Sequence, residues 1–195
     1  MEDERHKKDE QRLRAGLVPL PEPVSKPALI IISGLPGTGK SYFSQKLAER
    51  LPFLLLETDA LRAMLFPSPR YTAGESYRLF RACHLLIEEL LREGIRVIFD
   101  ATNLMERHRE RLYHIADQLG VKLVIVQVEA PPELVRQRLE ERALGVQPEV
   151  RSEADWSVYE KMRPTVQRIR RNHFVVDTST DITPVIDKIA RELKH

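Results

Sequence analysis

Eight residues, Gly34-Leu35-Pro36-Gly37-Thr38-Gly39-Lys40-Ser41, combine glycines, a lysine and a hydroxyl at a spacing that suits phosphate. Glycines let the backbone curl so that successive N–H groups point inward, forming a nest for anionic oxygens. Lys40 can reach the β- and γ-phosphates of a triphosphate, and the Ser41 hydroxyl can ligate Mg²⁺. The octad follows the apolar run Ala28 to Ile32 and leads into a helical pattern from Tyr42 to Leu51. That is the strand–loop–helix setting the G-x-x-x-x-G-K-[ST] pattern requires, with the positive end of a helix aimed at the ligand. Gly34 and Pro36 to Tyr42 are therefore expected to bind ATP, with Mg²⁺ held at Ser41.

Three further groups of residues could complete a transfer reaction. Asp59 and Arg62 stand directly after a second apolar stretch, Pro52 to Glu57, at i, i+3 on one helix face. A carboxylate there could orient an acceptor hydroxyl and take its proton, and an arginine beside it could hold the acceptor's own phosphate. The plainer reading makes Thr58 or Asp59 the helix N-cap and Arg62 an exposed helix residue. Asp100 ends the apolar stretch Ile95 to Asp100 and is expected to hold Mg²⁺ directly or through water. Thr102 and Asn103 behind it could bond the acceptor or merely shape the turn. Arg138 and Arg142 lie one helical turn apart, where two guanidinium groups on a lid over about 136–155 could neutralise charge developing during transfer. With Glu140 and Glu141 between them, a solvated helix face is the competing reading.

These residues need a scaffold that gathers them. Apolar runs at 28–32, 52–57, 95–100, 121–128 and 173–177 alternate with helical patterns at 42–51, 75–92, 106–119 and 182–193, with others opening at Asp59, Pro131-Pro132 and Ser152 to Asp155. Strands alternating with helices predict a five-stranded parallel sheet covered on both faces, with ligands at the carboxyl ends of the strands. Residues 28–195 are expected to form this one domain. Residues 1–27 differ: six acidic and six basic residues cancel through Lys26, and a proline-rich linker follows Leu17. Glu2 to Leu13 reads as a short solvated helix or as disorder, and a passive charged extension is expected there rather than a partner-binding arm.

Composition narrows the class. With 195 residues, 42% hydrophobic and 31% charged, the chain has the make-up of one soluble α/β domain. A net charge of +2 does not by itself argue for nucleic acid, so only a local basic face could. Lys161 to Arg171 holds five basic residues and no acid, which reads as a phosphate-backbone track or as a solvated surface helix. The single cysteine, Cys83, sits in an apolar helical stripe and is expected to be a buried, inert thiol. No apolar run reaches the length of a membrane span, and a reducing cytoplasm is the expected setting.

Taken together, Thr58-Asp59-Ala60-Leu61-Arg62, Phe99 to Leu104, Arg138 to Arg142 and Tyr159 to Arg163 resemble the P-loop kinases of the polynucleotide 5′-hydroxyl kinase-like group. The resemblance runs from about Leu29 to Pro164. It implies the P-loop NTPase three-layer sandwich with a helical lid, Asp59 as general base, Arg62 as ligand of the acceptor's phosphate, and Arg142, helped by Arg138, as the lid. It leaves the acceptor open, with a nucleic-acid 5′-hydroxyl as the leading expectation. A small-molecule kinase shares the Asp-x-x-Arg and Thr-Asn pieces, and a regulatory nucleotide-binding ATPase is the third expectation.

Overall fold

The computed structural model describes residues 2–17, 19–144 and 154–193. Five strands, β1 (Ala28–Ser33), β2 (Leu54–Glu57), β3 (Val97–Asp100), β4 (Lys122–Glu129) and β5 (Phe174–Asp177), form one sheet in the order β2-β3-β1-β4-β5. Every neighbouring pair is parallel. The strand order reverses around β1, which is where an open α/β sheet leaves a crevice at its carboxyl edge.

A central parallel strand is buried on both faces, and β1 shows it. Leu29 and Ile31 point into one core with helices α3 (Thr58–Leu65), α4 (Ala73–Arg92) and α5 (Glu106–Leu119). Ile30 and Ile32 point into a second core with α2 (Lys40–Arg50) and α8 (Thr183–Glu192). These four residues are fully buried, so a continuous apolar run rather than an alternating one is required. A third, smaller cluster joins Val135 and Leu139 of α6 (Pro132–Ala143) to Tyr159 of α7 (Trp156–Met162), against Leu35 of the phosphate-loop octad. Cys83 is fully buried in α4, and burial pushes its thiol up to about 12.

The amino-terminal stretch departs from the expected passive extension. Glu2–Ala15 forms a helix, α1, that lies along α4. Its one large apolar side chain, Leu13, is fully buried in the α3–α4–α5 core. Asp9 pairs with Arg78, and Arg14 reaches Glu93 at 2.5 Å. The linker is pinned as well: the Val24 amide donates to the Gly94 carbonyl, and Leu17 and Leu20 pack on the same core. Charge density hid the docking, because one leucine and a few ion pairs leave little amphipathic signal. Among the described residues, no helix is long and apolar enough to cross a membrane.

Candidate active site

The phosphate-loop octad is shaped by what packs behind it. Gly37 and Gly39 sit at φ 78° and 89°, a region that side chains rarely enter. A Cβ on Gly37 would lie 2.8 Å from Val135 of α6, and one on Gly39 would lie 2.9 Å from the Thr178 hydroxyl. Gly34 is closer still to the β4 backbone, where a Cβ would meet the Val128 carbonyl at 2.4 Å. The glycines therefore serve close approach as well as curvature. Thr38 Oγ1 donates to the Leu35 carbonyl at 2.8 Å, and Lys40 Nζ donates to the same oxygen at 3.0 Å.

Behind the loop stands a residue that the sequence pattern did not single out. Thr178, directly after β5, donates its hydroxyl to the Thr38 carbonyl at 2.6 Å and accepts from Arg138 Nη1 at 2.8 Å. Arg138 Nη2 also donates to the Thr178 carbonyl at 3.0 Å. Arg138, expected as a lid arginine, is thus clamped against the loop. The signal for Thr178 was its place at the carboxyl end of a strand, the position already read at Asp100. Arg142, one turn further, lines the cleft with its Nε buried and without a hydrogen-bond partner. Asp155 caps α7 by accepting from the Val158 amide at 3.0 Å. The rest of the expected lid, residues 145–153, lies outside the described residues.

One cleft of about 1020 Å³ takes in the loop and the ends of β2 and β3. Its lining includes Lys40, Ser41, Tyr42, Asp59, Arg62, Asp100, Thr102, Arg138 and Arg142. Asp100 is buried, with Oδ2 lacking a partner. Burial raises its pKa and Asp59 adds to this, while Lys40 and the nearby Ser41 and Ser44 hydroxyls oppose it. Burial lowers the Lys40 pKa, and Asp100 and Asp59 act against that. Arg142 is likewise lowered by burial and favoured by Asp59. A buried carboxylate with a free oxygen, beside a serine at the start of α2, fits a hard cation carried in with a triphosphate.

The other side of the cleft follows from β2 running straight into α3. Thr58 Oγ1 donates to the Asp100 carbonyl at 3.1 Å, tying the two strand ends together. Neither Thr58 nor Asp59 is the N-cap, since Glu57 occupies that position. Asp59 is one residue into the helix, in the cleft wall. Arg62 is only 6% exposed rather than a solvated helix residue. Its guanidinium lies 4.7 Å over the Tyr71 ring, donates to Ser76 at 3.3 Å and stands 3.8 Å from Glu75. Nε and Nη1 have no hydrogen-bond partner.

Asn103 is not brought to the cleft. It is 1% exposed at φ 45°, and its Nδ2 donates to the Ile32 carbonyl at 2.8 Å, so it builds the turn beside Thr102. Fully buried Arg109 holds that turn from behind, through the Asn103 carbonyl at 2.6 Å, Glu106 at 2.6 Å and the Gln167 carbonyl at 2.9 Å. The Lys161–Arg171 run is not one solvated helix, since α7 ends at Met162 and a short 3-10 turn covers Arg163–Thr165. Arg171 is engaged with Asp117 at 2.6 Å and over the Tyr113 ring.

Residues 29–169, which span the loop octad, Asp59, Arg62, Asp100 and both lid arginines, match the AAA_33 family, described as an AAA domain. The chain belongs to that family. L-seryl-tRNA(Sec) kinase of Methanococcus maripaludis is 36% identical over 129 residues, covering 63% of this chain and 49% of that protein. Rat (Rattus norvegicus) 6-phosphofructo-2-kinase/fructose-2,6-bisphosphatase 4 is 25% identical over 155 residues, covering 70% of this chain and 33% of that protein. The chain thus spans half or less of the length of these curated relatives, which are kinases. Among solved structures, Chaetomium thermophilum Kti12 in complex with ADP-AlF3 superposes with a TM-score of 0.66 at 22% identity, over 84% of this chain and 97% of that one. Mycobacterium tuberculosis APS kinase CysC, with AMPPNP and APS, gives 0.63 at 18% identity, over 89% and 100%. At those identities the likeness establishes the P-loop kinase fold, a five-stranded parallel sheet with helices on both faces. The family match stops before β5 and leaves out α1, so Thr178 and the docked helix lie outside it.

Proposed function

We propose that this P-loop kinase transfers the γ-phosphate of ATP to a hydroxyl at the end of a nucleic acid, first of all a 5′-hydroxyl. The observation that carries the reading is the shared cleft, which takes in Lys40 after β1, Asp59 and Arg62 after β2, and Asp100 at the end of β3, the strand between those two. The loop amides and Lys40 would hold the β- and γ-phosphates, and Ser41 and Asp100 would hold Mg²⁺, which supplies charge neutralisation when bound. Asp59 would orient the acceptor oxygen and take its proton as the new O–P bond forms and the bond to ADP breaks. Arg62 would grip an anionic group on the acceptor, and Arg142 would neutralise charge on the transferring group. Arg138, through Thr178, would hold the loop in shape.

The relative in Methanococcus maripaludis is named for a hydroxyl borne on a tRNA, which supports an acceptor attached to RNA. A small-molecule acceptor is the second reading. It is favoured by the cleft, whose 1020 Å³ is room enough for a nucleotide and a metabolite. Incubation with γ-labelled ATP and Mg²⁺, offering 5′-hydroxyl RNA and DNA, seryl-tRNA and a panel of sugars and nucleosides, separates them. Label on an oligonucleotide or tRNA end is expected. Label on a metabolite alone would overturn the nucleic-acid reading, and ATP hydrolysis with no labelled acceptor would overturn the kinase.

A further inference from the structure

Phe80 forms part of the cleft wall on the acceptor side, and its ring has a second neighbour outside the cleft. His108 of α5 stacks on it at 5.8 Å, and His84, one turn further along α4, lies at 6.3 Å. Arg81 on α4 and Arg111 on α5 are near enough to act electrostatically on His84. Arg81 and His84 are three residues apart, as are His108 and Arg111, so each pair shares one face of its helix. His84 is 8% exposed, and its Nε2 has no hydrogen-bond partner. The Nε atoms of Arg81 and Arg111 are buried without partners too. Four basic groups therefore meet at one seam.

Several carboxylates of the surrounding elements are engaged with other arginines or exposed. Glu88 of α4 holds Arg92 at 2.7 Å, Glu106 of α5 holds Arg109 at 2.6 Å, and Asp9 of α1 holds Arg78. Glu110 is exposed. Burial pushes the His84 ring down to about 4, and Arg111, Arg81 and His108 all push the same way. Two guanidinium groups of like charge, with buried nitrogens left unbonded, cost stability unless an anion sits on them.

We infer that the seam between α4 and α5 beyond Phe80 is a second anion site, which takes a backbone phosphate of the acceptor strand past its reacting end. This rests on the nucleic-acid reading of the acceptor. Arg81 and Arg111 supply the guanidinium groups, His108 stacked on Phe80 marks where the strand leaves the cleft, and His84 is the ring a bound phosphate would recharge. The seam, rather than Lys161 to Arg171, is then the basic face that net charge alone could not locate. A small acceptor would end at Arg62 and never reach it.

The full chain carrying Arg81→Gln and Arg111→Gln tests this. A fluorescent 5′-hydroxyl octanucleotide, as RNA and as DNA, is titrated by anisotropy at several salt concentrations, with a mononucleoside 3′-phosphate and ADP alongside. Octanucleotide affinity should fall about tenfold or more, and the slope of log K against log salt should shrink by about 1, for the one phosphate that the variant no longer neutralises. ADP affinity should stay unchanged, and the thermal midpoint should hold or rise as repulsion is relieved. Histidine ring signals of the wild-type protein should shift on adding the octanucleotide, and a His84→Gln variant identifies which signal belongs to that ring. If the octanucleotide binds and is phosphorylated equally well by wild type and double variant, with the same salt slope, the seam is not a strand site and only this inference falls. If wild type neither binds nor labels any strand while labelling a metabolite, the nucleic-acid reading falls and the inference goes with it.

Discussion

The two ends of the cleft are built differently. At the end that holds the loop octad, the loop's polar groups bond nearby groups: Thr38 and Lys40 both bond the Leu35 carbonyl, and Thr178 locks the Thr38 carbonyl while holding Arg138. At the proposed acceptor end Arg62 is buried and, among the described residues, meets a ring face, one bond of 3.3 Å and an ion pair of 3.8 Å. The loop octad is shaped before any ligand arrives, whereas the acceptor wall keeps donors in reserve. A site that must hold the same triphosphate in every turnover gains from being finished in advance. A site that selects its partner gains from donors that only the right partner satisfies.

The largest effect that would sharpen this contrast is expected from Asp59→Asn. The variant keeps shape but has a far weaker base, so transfer should drop on the order of 10²–10⁴ while ADP affinity holds. Single-turnover transfer beside an ADP titration measures both. Near-normal transfer with an unchanged thermal midpoint would put the base elsewhere. Lys40→Ala belongs to the finished end and should cost on the order of 10²–10³ in transfer, whichever acceptor is offered. Unequal losses across acceptors would break the division of labour drawn here.

A subtler effect tests whether α1 supports the acceptor wall from behind. Leu13→Ala removes the helix's buried anchor and should cost about 2–5 kcal/mol of stability, read as a lower denaturant midpoint. Because α1 lies on α3 and α4, which carry Asp59, Arg62 and Ser76, KM for the acceptor should rise while ADP affinity changes little. Equal loss at both ends would make α1 a general stabiliser.

The smallest effect concerns pH. Burial, then contact with Glu89, raises Glu10 to about 7. A carboxyl raised in the folded state contributes stability that is full below its unfolded value and lost as pH rises through the folded one. The α1 contact should therefore weaken between about pH 5 and 8. Glu10→Gln should flatten that dependence and raise the thermal midpoint at pH 8 by about 2–4 °C, the shift that follows from roughly 1 kcal/mol in a chain of this size. An unchanged pH profile would show that Glu10 is already ionised against α4.

The nucleotide end was legible because its chemistry is local: eight consecutive residues, a strand before and a helix after. Hydrophobic runs likewise disclosed the parallel sheet, since a strand buried on both faces must be apolar throughout. Asp59 and Asp100 were readable as strand-end carboxylates by the same logic. Other features depended on segments far apart in the chain. Thr178 stands 140 residues from the carbonyl it bonds, Arg109 ties its own turn to a loop 58 residues further along, and α1 seats one leucine against a helix some 70 residues away. Whether Asn103 faced the acceptor or the sheet, and whether Arg62 lay in water or under a tyrosine, was decided by packing. A residue's type and neighbours limit the chemistry it can do, but only the close approach of distant segments fixes which atom its side chain meets.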